Sequence, residues 1–245
     1  MEMYEARRAL ILTGRRLLET GLTVGTWGNL SRRAGQHMLI TPSGMDYAAL
    51  RPAEIVLVDL STLAWTGQFK PSTETPLHAA IYRARPEVNA VIHTHAVFSS
   101  ALAAARRDLP PVLDDLVQII GGGVRVVPYA LPGTNELVSH ALGGLEGRMA
   151  VLLANHGAVC LGRSLEEALM VAQVLEKAAR VFILAQALGG AVPLADADIA
   201  FMREFFLHRY GQRQEGVSGG NRTQEDSLRP SEKHMEGENT GGGAA

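Results

Sequence analysis

Two histidines one residue apart, His93 and His95, close an apolar stretch whose pattern predicts a β-strand over residues 88–95. Side chains at positions i and i+2 of a strand share one face, so both imidazoles should point to the same side. Each buried ring would need a hydrogen-bond donor and an acceptor, and a metal ion can satisfy both rings at once. The alternative is one hydrogen-bonded core histidine beside one exposed histidine, which this pair alone does not exclude.

A third histidine, His156, follows a second apolar stretch that predicts a strand over residues 150–155. It is flanked by Asn155 and Gly157, and the glycine permits close approach of another backbone. An Asn-His-Gly tripeptide by itself is also an ordinary turn. Three histidines at two strand ends, however, match the ligand set of a catalytic zinc site with one open position.

A carboxylate and several small hydrogen-bond donors lie in glycine-flanked or proline-flanked loops. Glu74 precedes a helix predicted to end near residue 84, where it could also simply favour the helix dipole. Hydroxyl, amide and backbone N–H donors near a helix start can bind phosphate without lysine or arginine. The candidate donors are Asn29, Ser43, Gly44, Ser72 and Thr73. Spacing alone does not establish that they converge, and the sequence lacks the GxxxxGK[ST] pattern of nucleoside triphosphate sites.

The elements that must position these residues alternate along the chain, which predicts the α/β class. The helix at about residues 165–188 starts with a capping box, Ser164 and Glu167. Other helices are expected at 3–20, 99–105, 134–142 and 196–210, and one is opened by residues 71–76 and runs to about 84. Other strands are expected at 38–40, 55–60 and 124–128.

Composition limits the functional classes. The 245 residues are 47% apolar and carry a net charge of −2, so a globular core is expected and nucleic-acid binding is not. No uncharged apolar run approaches 18 residues, which argues against a membrane span. The single cysteine, Cys160, lies in an apolar run and is expected to be buried, and a cytoplasmic location is expected. Residues 212–245 are poor in large apolar side chains and predict a disordered tail after a domain at 1–211.

Five segments in order resemble the class II aldolase and adducin family, and the similarity extends over about residues 5–211. They are Gly25-Thr26-Trp27-Gly28-Asn29-Leu30-Ser31, Leu39-Ile40-Thr41-Pro42-Ser43-Gly44, Pro71-Ser72-Thr73-Glu74, His93-Thr94-His95 and Asn155-His156-Gly157. The resemblance implies a three-layer α/β/α fold around a largely antiparallel sheet. It also implies a homotetramer whose active sites lie at subunit interfaces.

The resemblance further implies roles for individual residues. One Zn²⁺ per subunit would be bound by His93, His95 and His156, with Glu74 as a fourth ligand and then as the acid/base. Tyr210 matches a tyrosine that donates a proton in such aldolases, although a packed helix-end aromatic is the alternative. The substrate phosphate would be held by Gly28, Asn29, Ser43, Gly44, Ser72 and Thr73.

The expected reaction is cleavage of a ketose 1-phosphate to dihydroxyacetone phosphate and an aldehyde. The ketose would be L-fuculose 1-phosphate or a 5-deoxy- or 5-methylthio-pentulose 1-phosphate. Two positions on the aldehyde side depart from the family pattern: Asp115 replaces a tyrosine and Pro132 a phenylalanine. Asp115 could take part in proton chemistry, or be only surface charge or a helix cap.

Other activities on the same scaffold stay open. They are a pentulose-phosphate 4-epimerase, a methylthioribulose-1-phosphate dehydratase and a sugar-acid phosphate decarboxylase. A zinc hydrolase and a non-enzymatic adducin-like module are further alternatives. Glu74 argues against the epimerase, which has aspartate at this position, and the complete histidine set argues against the module.

Overall fold

The computed structural model of the protein describes residues 1–209; Tyr210 and the predicted tail lie outside the described residues. Short 3₁₀ turns occur at Pro52–Glu54 and Gln186–Leu188. The helices are α1 (Glu2–Glu19), α2 (Thr75–Ala84), α3 (Val97–Ala105), α4 (Asp114–Ile120), α5 (Asn135–Gly144), α6 (Leu165–Ala185) and α7 (Asp196–His208). The strands are β1 (Asn29–Ala34), β2 (His37–Ile40), β3 (Val56–Asp59), β4 (Ala90–Thr94), β5 (Val126–Val127), β6 (Ala150–Leu153) and β7 (Gly157–Gly162).

The described strands form one sheet in the order β3-β2-β1-β4-β7-β6-β5. Neighbouring strands run antiparallel except β5 and β6, which are parallel. The chain passes from β5 through α5 to β6, and a crossover helix of this kind joins parallel neighbours. The α/β class is therefore confirmed, and the sheet is mixed.

Helices lie on both faces of this sheet. The Ser31 side chain of β1 hydrogen-bonds to α2, and its register partner on β4 is Val91. The next residue, Ile92, points to the opposite face and pairs with Cys160 of β7. A Cβ at Gly162, two residues along β7 and on the same face as Cys160, would lie 2.3 Å from the Ala168 nitrogen of α6, so α6 lies on that face. Burial raises the pKa of the Cys160 thiol, and the Glu176 carboxylate of α6 raises it as well. Cys160 is fully buried, as the sequence predicts.

The central strands carry the core. Every residue of β4, β6 and β7 is buried, which explains why these strands appear in the sequence as continuous apolar runs rather than alternating patterns. Helix α6 packs its apolar side on β7 and β4. It begins at the predicted cap, where the Ser164 hydroxyl accepts the Glu167 N–H at 3.2 Å.

Three elements differ from the sequence prediction. Residues 29–31 belong to β1, although the surrounding glycines and polar residues suggest a loop. No strand is expected after His156 from the sequence, but β7 follows that turn and, like β6, is entirely buried. Helix α4 occupies only seven residues, too few for a clear helical period to show in the sequence.

Candidate active site

The three histidines come together because of the register of two antiparallel strands. His93 lies in β4, and His95 follows its last residue. Thr94 pairs with Ala158 of β7, so the residues just before β7 lie opposite the end of β4. The turn from β6 into β7 holds His156, and Asn155 adopts a left-handed conformation there with φ of 54°.

The ring nitrogens and one carboxylate converge on a common point. The Nε2 atoms of His93 and His95 lie 2.8 Å apart, and one potential ligand atom from each of the three histidines lies within 4.8 Å of the others. Glu74 places Oε2 at 3.2 Å from His93 Nε2 and Oε1 at 3.7 Å from His156 Nε2. The predicted histidine cluster is therefore present, and Glu74 borders it.

The histidines are in the protonation state that a metal ion needs. His93 Nδ1 donates to the Ala158 carbonyl oxygen at 2.9 Å, which leaves a lone pair on Nε2. Burial lowers the pKa of His93 to about 4. Burial, followed by the nearby His93, lowers the pKa values of His95 and His156 to about 4 as well. All three rings are neutral at pH 7.

Unpaired buried atoms provide a test of whether this group fits a metal ion. Among the described residues, Glu74 Oε1 is buried without a hydrogen-bond partner. The Nε2 atoms of His93 and His95 lie 2.8 Å apart and can share one proton, so without an ion they pair with each other. Three imidazole nitrogens and a carboxylate are a ligand set typical of zinc, and a bound ion would give these atoms a partner. The residues present fit the expected metal.

Glu74 is held in place rather than left at the surface. It is the N-cap residue of α2, but its side chain accepts no cap hydrogen bond and is buried among the site residues. Asn29 of β1 donates Nδ2–H to Glu74 Oε2 at 2.7 Å. A role limited to the helix dipole does not account for this burial and pairing.

A single cavity of about 300 Å³ opens above the cluster. Segments far apart in sequence line it, and the predicted phosphate-binding residues are all among them. The lining residues are Thr26, Trp27, Gly28, Asn29, Pro42, Ser43, Gly44, Ser72, Thr73, Glu74, His93, His95, Pro132 and His156. The predicted phosphate-binding residues therefore converge on one cavity, which their spacing in the sequence could not establish. Their role in binding phosphate stays a prediction.

Two predicted residues are not brought into this cavity. Asp115 lies in the first turn of α4, where it forms an ion pair with Lys177 of α6, and it does not line the cavity of its own chain. The surface-charge interpretation describes this placement better than a role within the same chain. Tyr210 lies outside the described residues.

The sequence reasoning missed a buried polar network behind the site. Ser31 Oγ lies 2.6 Å from His78 Nδ1 and 2.8 Å from Tyr82 Oη. Burial, and after it the nearby His93, lower the pKa of His78 to about 3. Glu74, His78 and Tyr82 recur every fourth residue and so share one side of α2, a spacing that could have pointed to this network.

A family model described as the class II aldolase and adducin N-terminal domain matches residues 8–183. The chain belongs to this family. The family expected from the five segments is thus confirmed. Among the described residues of this family member, no helix is long and apolar enough to cross a membrane.

Three similar proteins are informative. A 5-methylthioribulose-1-phosphate/5-deoxyribulose-1-phosphate aldolase of Rhodospirillum rubrum is 45% identical over 72% of this chain and 79% of its own length. The L-fuculose phosphate aldolase of Escherichia coli strain K12 is 37% identical over 88% of this chain and its full length. A solved L-fuculose 1-phosphate aldolase is 37% identical and superimposes with a TM-score of 0.80, covering 83% of this chain and 96% of that one.

Proposed function

We propose that the protein is a zinc-dependent aldolase that cleaves a ketose 1-phosphate to dihydroxyacetone phosphate and an aldehyde. The observation that carries this proposal is the opening of the three-histidine cluster, with Glu74, into the cavity lined by the small phosphate-type donors. The similar proteins named above act on 5-methylthioribulose 1-phosphate, 5-deoxyribulose 1-phosphate and L-fuculose phosphate. These ketoses, as 1-phosphates, are the proposed substrates.

The metal site in this proposal consists of His93, His95 and His156, with Glu74 as the fourth ligand before substrate binds. A Zn²⁺ ion bound there would polarise the ketose carbonyl and stabilise the negative charge that develops as the C3–C4 bond breaks. The hydrogen bond from His93 Nδ1 to Ala158 fixes the ring orientation and the tautomer. The protein thereby directs the Nε2 lone pair of His93 toward the other site residues.

The phosphate would bind to the small donors on the cavity wall. Ser43, Ser72 and Thr73 offer hydroxyl groups, and Gly28 and Gly44 let the backbone approach closely. Asn29 belongs to the same group but already donates to Glu74, so it would link the phosphate side to the acid/base. The described cavity wall has no lysine or arginine, which leaves hydroxyl and backbone donors to bind the anion.

Two protons move during the proposed cleavage. The electron pair of the broken bond stays with C3 of the dihydroxyacetone phosphate fragment, and Glu74 supplies the proton that C3 gains. The C4 hydroxyl loses its proton as it becomes the aldehyde, and Asp115 as a carboxylate or Tyr210 as a phenolate would accept it. This group then returns its proton to solvent, and Glu74 takes up from solvent the proton that it gives to C3. Asp115 does not line the cavity of its own chain, so this role requires the neighbouring copy of a homotetramer with interfacial active sites. The tetramer and a cytoplasmic location are part of this proposal.

The decisive experiment is a coupled assay for dihydroxyacetone phosphate release from zinc-loaded protein. Fuculose 1-phosphate, ribulose 1-phosphate, 5-deoxyribulose 1-phosphate and 5-methylthioribulose 1-phosphate would be offered, each with a chelated control. Release that the chelator abolishes and zinc restores supports the aldolase. If zinc-loaded protein releases nothing from any ketose, the aldolase is excluded, and epimerase, dehydratase and decarboxylase assays follow.

A matched variant tests the metal. We expect His95→Ala to lose zinc and at least about 100-fold in kcat/KM while it stays folded, because His95 follows β4 instead of lying within it. His140→Ala is the control, since His140 is half-buried and does not line the cavity, and its Nδ1 donates to the Pro128 carbonyl oxygen at 3.1 Å. A folded, zinc-free His95→Ala protein with full turnover would exclude the metal mechanism.

A further inference from the structure

Trp27 is an exposed aromatic residue at the edge of the cavity. Its relative exposure is 66%, which is high for the largest apolar side chain, and it lines the cavity itself. Its indole stacks on the His95 ring with a centroid separation of 5.8 Å and an interplanar angle of 30°. The indole therefore offers an apolar surface directly beside a predicted metal ligand.

The backbone beneath this indole is firmly held. Thr23 Oγ1 donates to the Trp27 carbonyl oxygen, and Tyr47 Oη donates to the Gly28 carbonyl oxygen at 2.9 Å. Gly28 has φ of +75°, and a Cβ there would lie 2.6 Å from the His93 carbonyl oxygen, so only glycine permits this contact with β4. The exposed side chain thus extends from a preorganised backbone, which reduces the entropy lost when a ligand covers it.

The cavity wall offers both polar and apolar surface. Hydroxyl donors come from Ser43, Ser72 and Thr73, whereas Trp27 and Pro132 contribute apolar surface. A ketose 1-phosphate would bind with its phosphate at the hydroxyl donors and its carbonyl near the histidines. Its C5 end would then extend beyond the histidines, and Trp27 stacks on one of them, His95. We propose that Trp27 contacts this end and selects ketoses with a methyl or methylthio group at C5 over those with a hydroxyl group there. This inference rests on the proposed function.

The chemistry of the indole supports that choice. An aromatic face binds methyl groups through apolar contact and binds thioether sulfur favourably, whereas it gives a hydroxyl group no strong hydrogen-bond partner. 5-Deoxyribulose 1-phosphate and ribulose 1-phosphate differ only by the C5 hydroxyl group. They are therefore a matched pair of substrates for measuring the contribution of this surface.

The test compares Trp27→Ala with Trp65→Ala. Trp65 is the other tryptophan of the chain, is also partly exposed, and does not line the cavity. For each protein, kcat/KM would be measured with 5-methylthioribulose, 5-deoxyribulose and ribulose 1-phosphates. We expect the wild type and Trp65→Ala to prefer the first two ketoses, and Trp27→Ala to lose about 10- to 100-fold of that preference, the effect of one small apolar group in a pocket.

Binding can be followed without turnover. In a Trp65→Phe protein, Trp27 is the sole tryptophan, and its emission should change on adding 5-methylthioribulose 1-phosphate at zinc saturation, with Glu74→Gln included to slow cleavage. Dihydroxyacetone phosphate, which lacks the C4–C5 end, should have a smaller effect. Equal responses to the two ligands would overturn the contact.

The remaining outcomes are also decisive. If the wild type releases dihydroxyacetone phosphate but Trp27→Ala keeps the wild-type preference, the inference fails and the proposed function stands. If the wild type cleaves no ketose, both fail. If light scattering shows that Trp27→Ala changes the oligomeric state, the indole belongs to a subunit interface and the specificity role is overturned.

Discussion

The Glu74 carboxylate is buried, but only one of its two oxygens has a hydrogen-bond partner among the described residues. This suits a group that binds a metal ion and later leaves it to move a proton. Asn29 binds one carboxylate oxygen, and the other faces His156 without a hydrogen bond among the described residues. A purely structural buried carboxylate would be expected to have both oxygens paired. The arrangement leaves one oxygen available to bind a metal ion or move a proton.

Glu74→Gln should separate proton transfer from metal binding. Gln keeps the shape and a carbonyl oxygen that can accept from Asn29, but it cannot act as a general base. We expect kcat to fall by about 10²–10⁴-fold, with much of the zinc retained through the three histidines. NMR exchange of the C3 protons of dihydroxyacetone phosphate with solvent deuterium measures this step directly.

The control for that variant is Glu166→Gln, which removes an exposed carboxylate in the first turn of α6. It should leave both turnover and exchange at the wild-type level. Wild-type exchange in Glu74→Gln would assign the proton transfer to another group.

At the level of elements, β1 and α2 are joined by matched polar contacts. Asn29 binds Glu74, and two residues further along β1, Ser31 binds His78. Two residues of a strand span about 6.7 Å and four residues of a helix about 6 Å, so the two pairs fit side by side. These contacts fix the position of α2 along β1, and therefore the position of Glu74 at the start of α2.

The buried His78 predicts a pH dependence of stability. Its pKa is lowered to about 3, against about 6.5 in the unfolded chain, so between these values the unfolded state binds more protons. Stability should therefore fall as pH decreases from 6.5, by up to about 1.4 kcal/mol per pH unit from this residue. His78→Asn keeps a polar group near Ser31 but cannot titrate, so its slope should be shallower.

Urea unfolding of the metal-free wild type and His78→Asn at pH 7, 6 and 5 measures the two slopes. The histidines of the metal site contribute to both proteins and cancel in the comparison. Parallel slopes would contradict a neutral, buried His78.

The turn between β6 and β7 predicts a steric effect at Gly157. A Cβ there would lie 2.3 Å from the Thr94 carbonyl oxygen and 3.2 Å from atoms of the His93 and His95 rings. Gly157→Ala must push the two strand ends apart, which should cost about 1–3 kcal/mol of stability and lower zinc affinity at least about tenfold. Thermal unfolding and competition with a zinc chelator measure the two effects.

Gly143→Ala is the matched control. Gly143 lies in α5 with open space around its Cβ position, so alanine there should be neutral or stabilise by up to about 1 kcal/mol. Unchanged zinc affinity in Gly157→Ala would show that the strand ends tolerate separation.

At the scale of the whole molecule, the chain divides into a described domain and a C-terminal segment predicted from composition alone. Residues 212–245 contain few large apolar side chains, so they should add little burial to the folded state. A protein ending at residue 211 should keep kcat/KM within about twofold and its melting temperature within a few degrees. Loss of activity or of assembly in this truncated protein would give the segment a role.

Local sequence patterns were enough to predict the parts of the site that lie within single elements. The period of two in a strand places His93 and His95 on one face, and the apolar runs at 90–94 and 150–153 mark buried strands. The small donors, the third histidine and Glu74 were also identified, because turns, glycines and helix starts have local patterns. The family followed from the order of these segments and is confirmed by the family match.

Which of these segments contact each other depends on how the strands pair and how the helices pack. The register of β4 with β7 brings His156 to His95, and the packing of α2 on β1 brings Glu74 to Asn29 and buries His78 beside Ser31. The packing of α4 against α6 leaves Asp115 paired with Lys177, away from the cavity of its own chain. Contacts between distant segments depend on strand register and helix packing, which spacing along the chain does not specify.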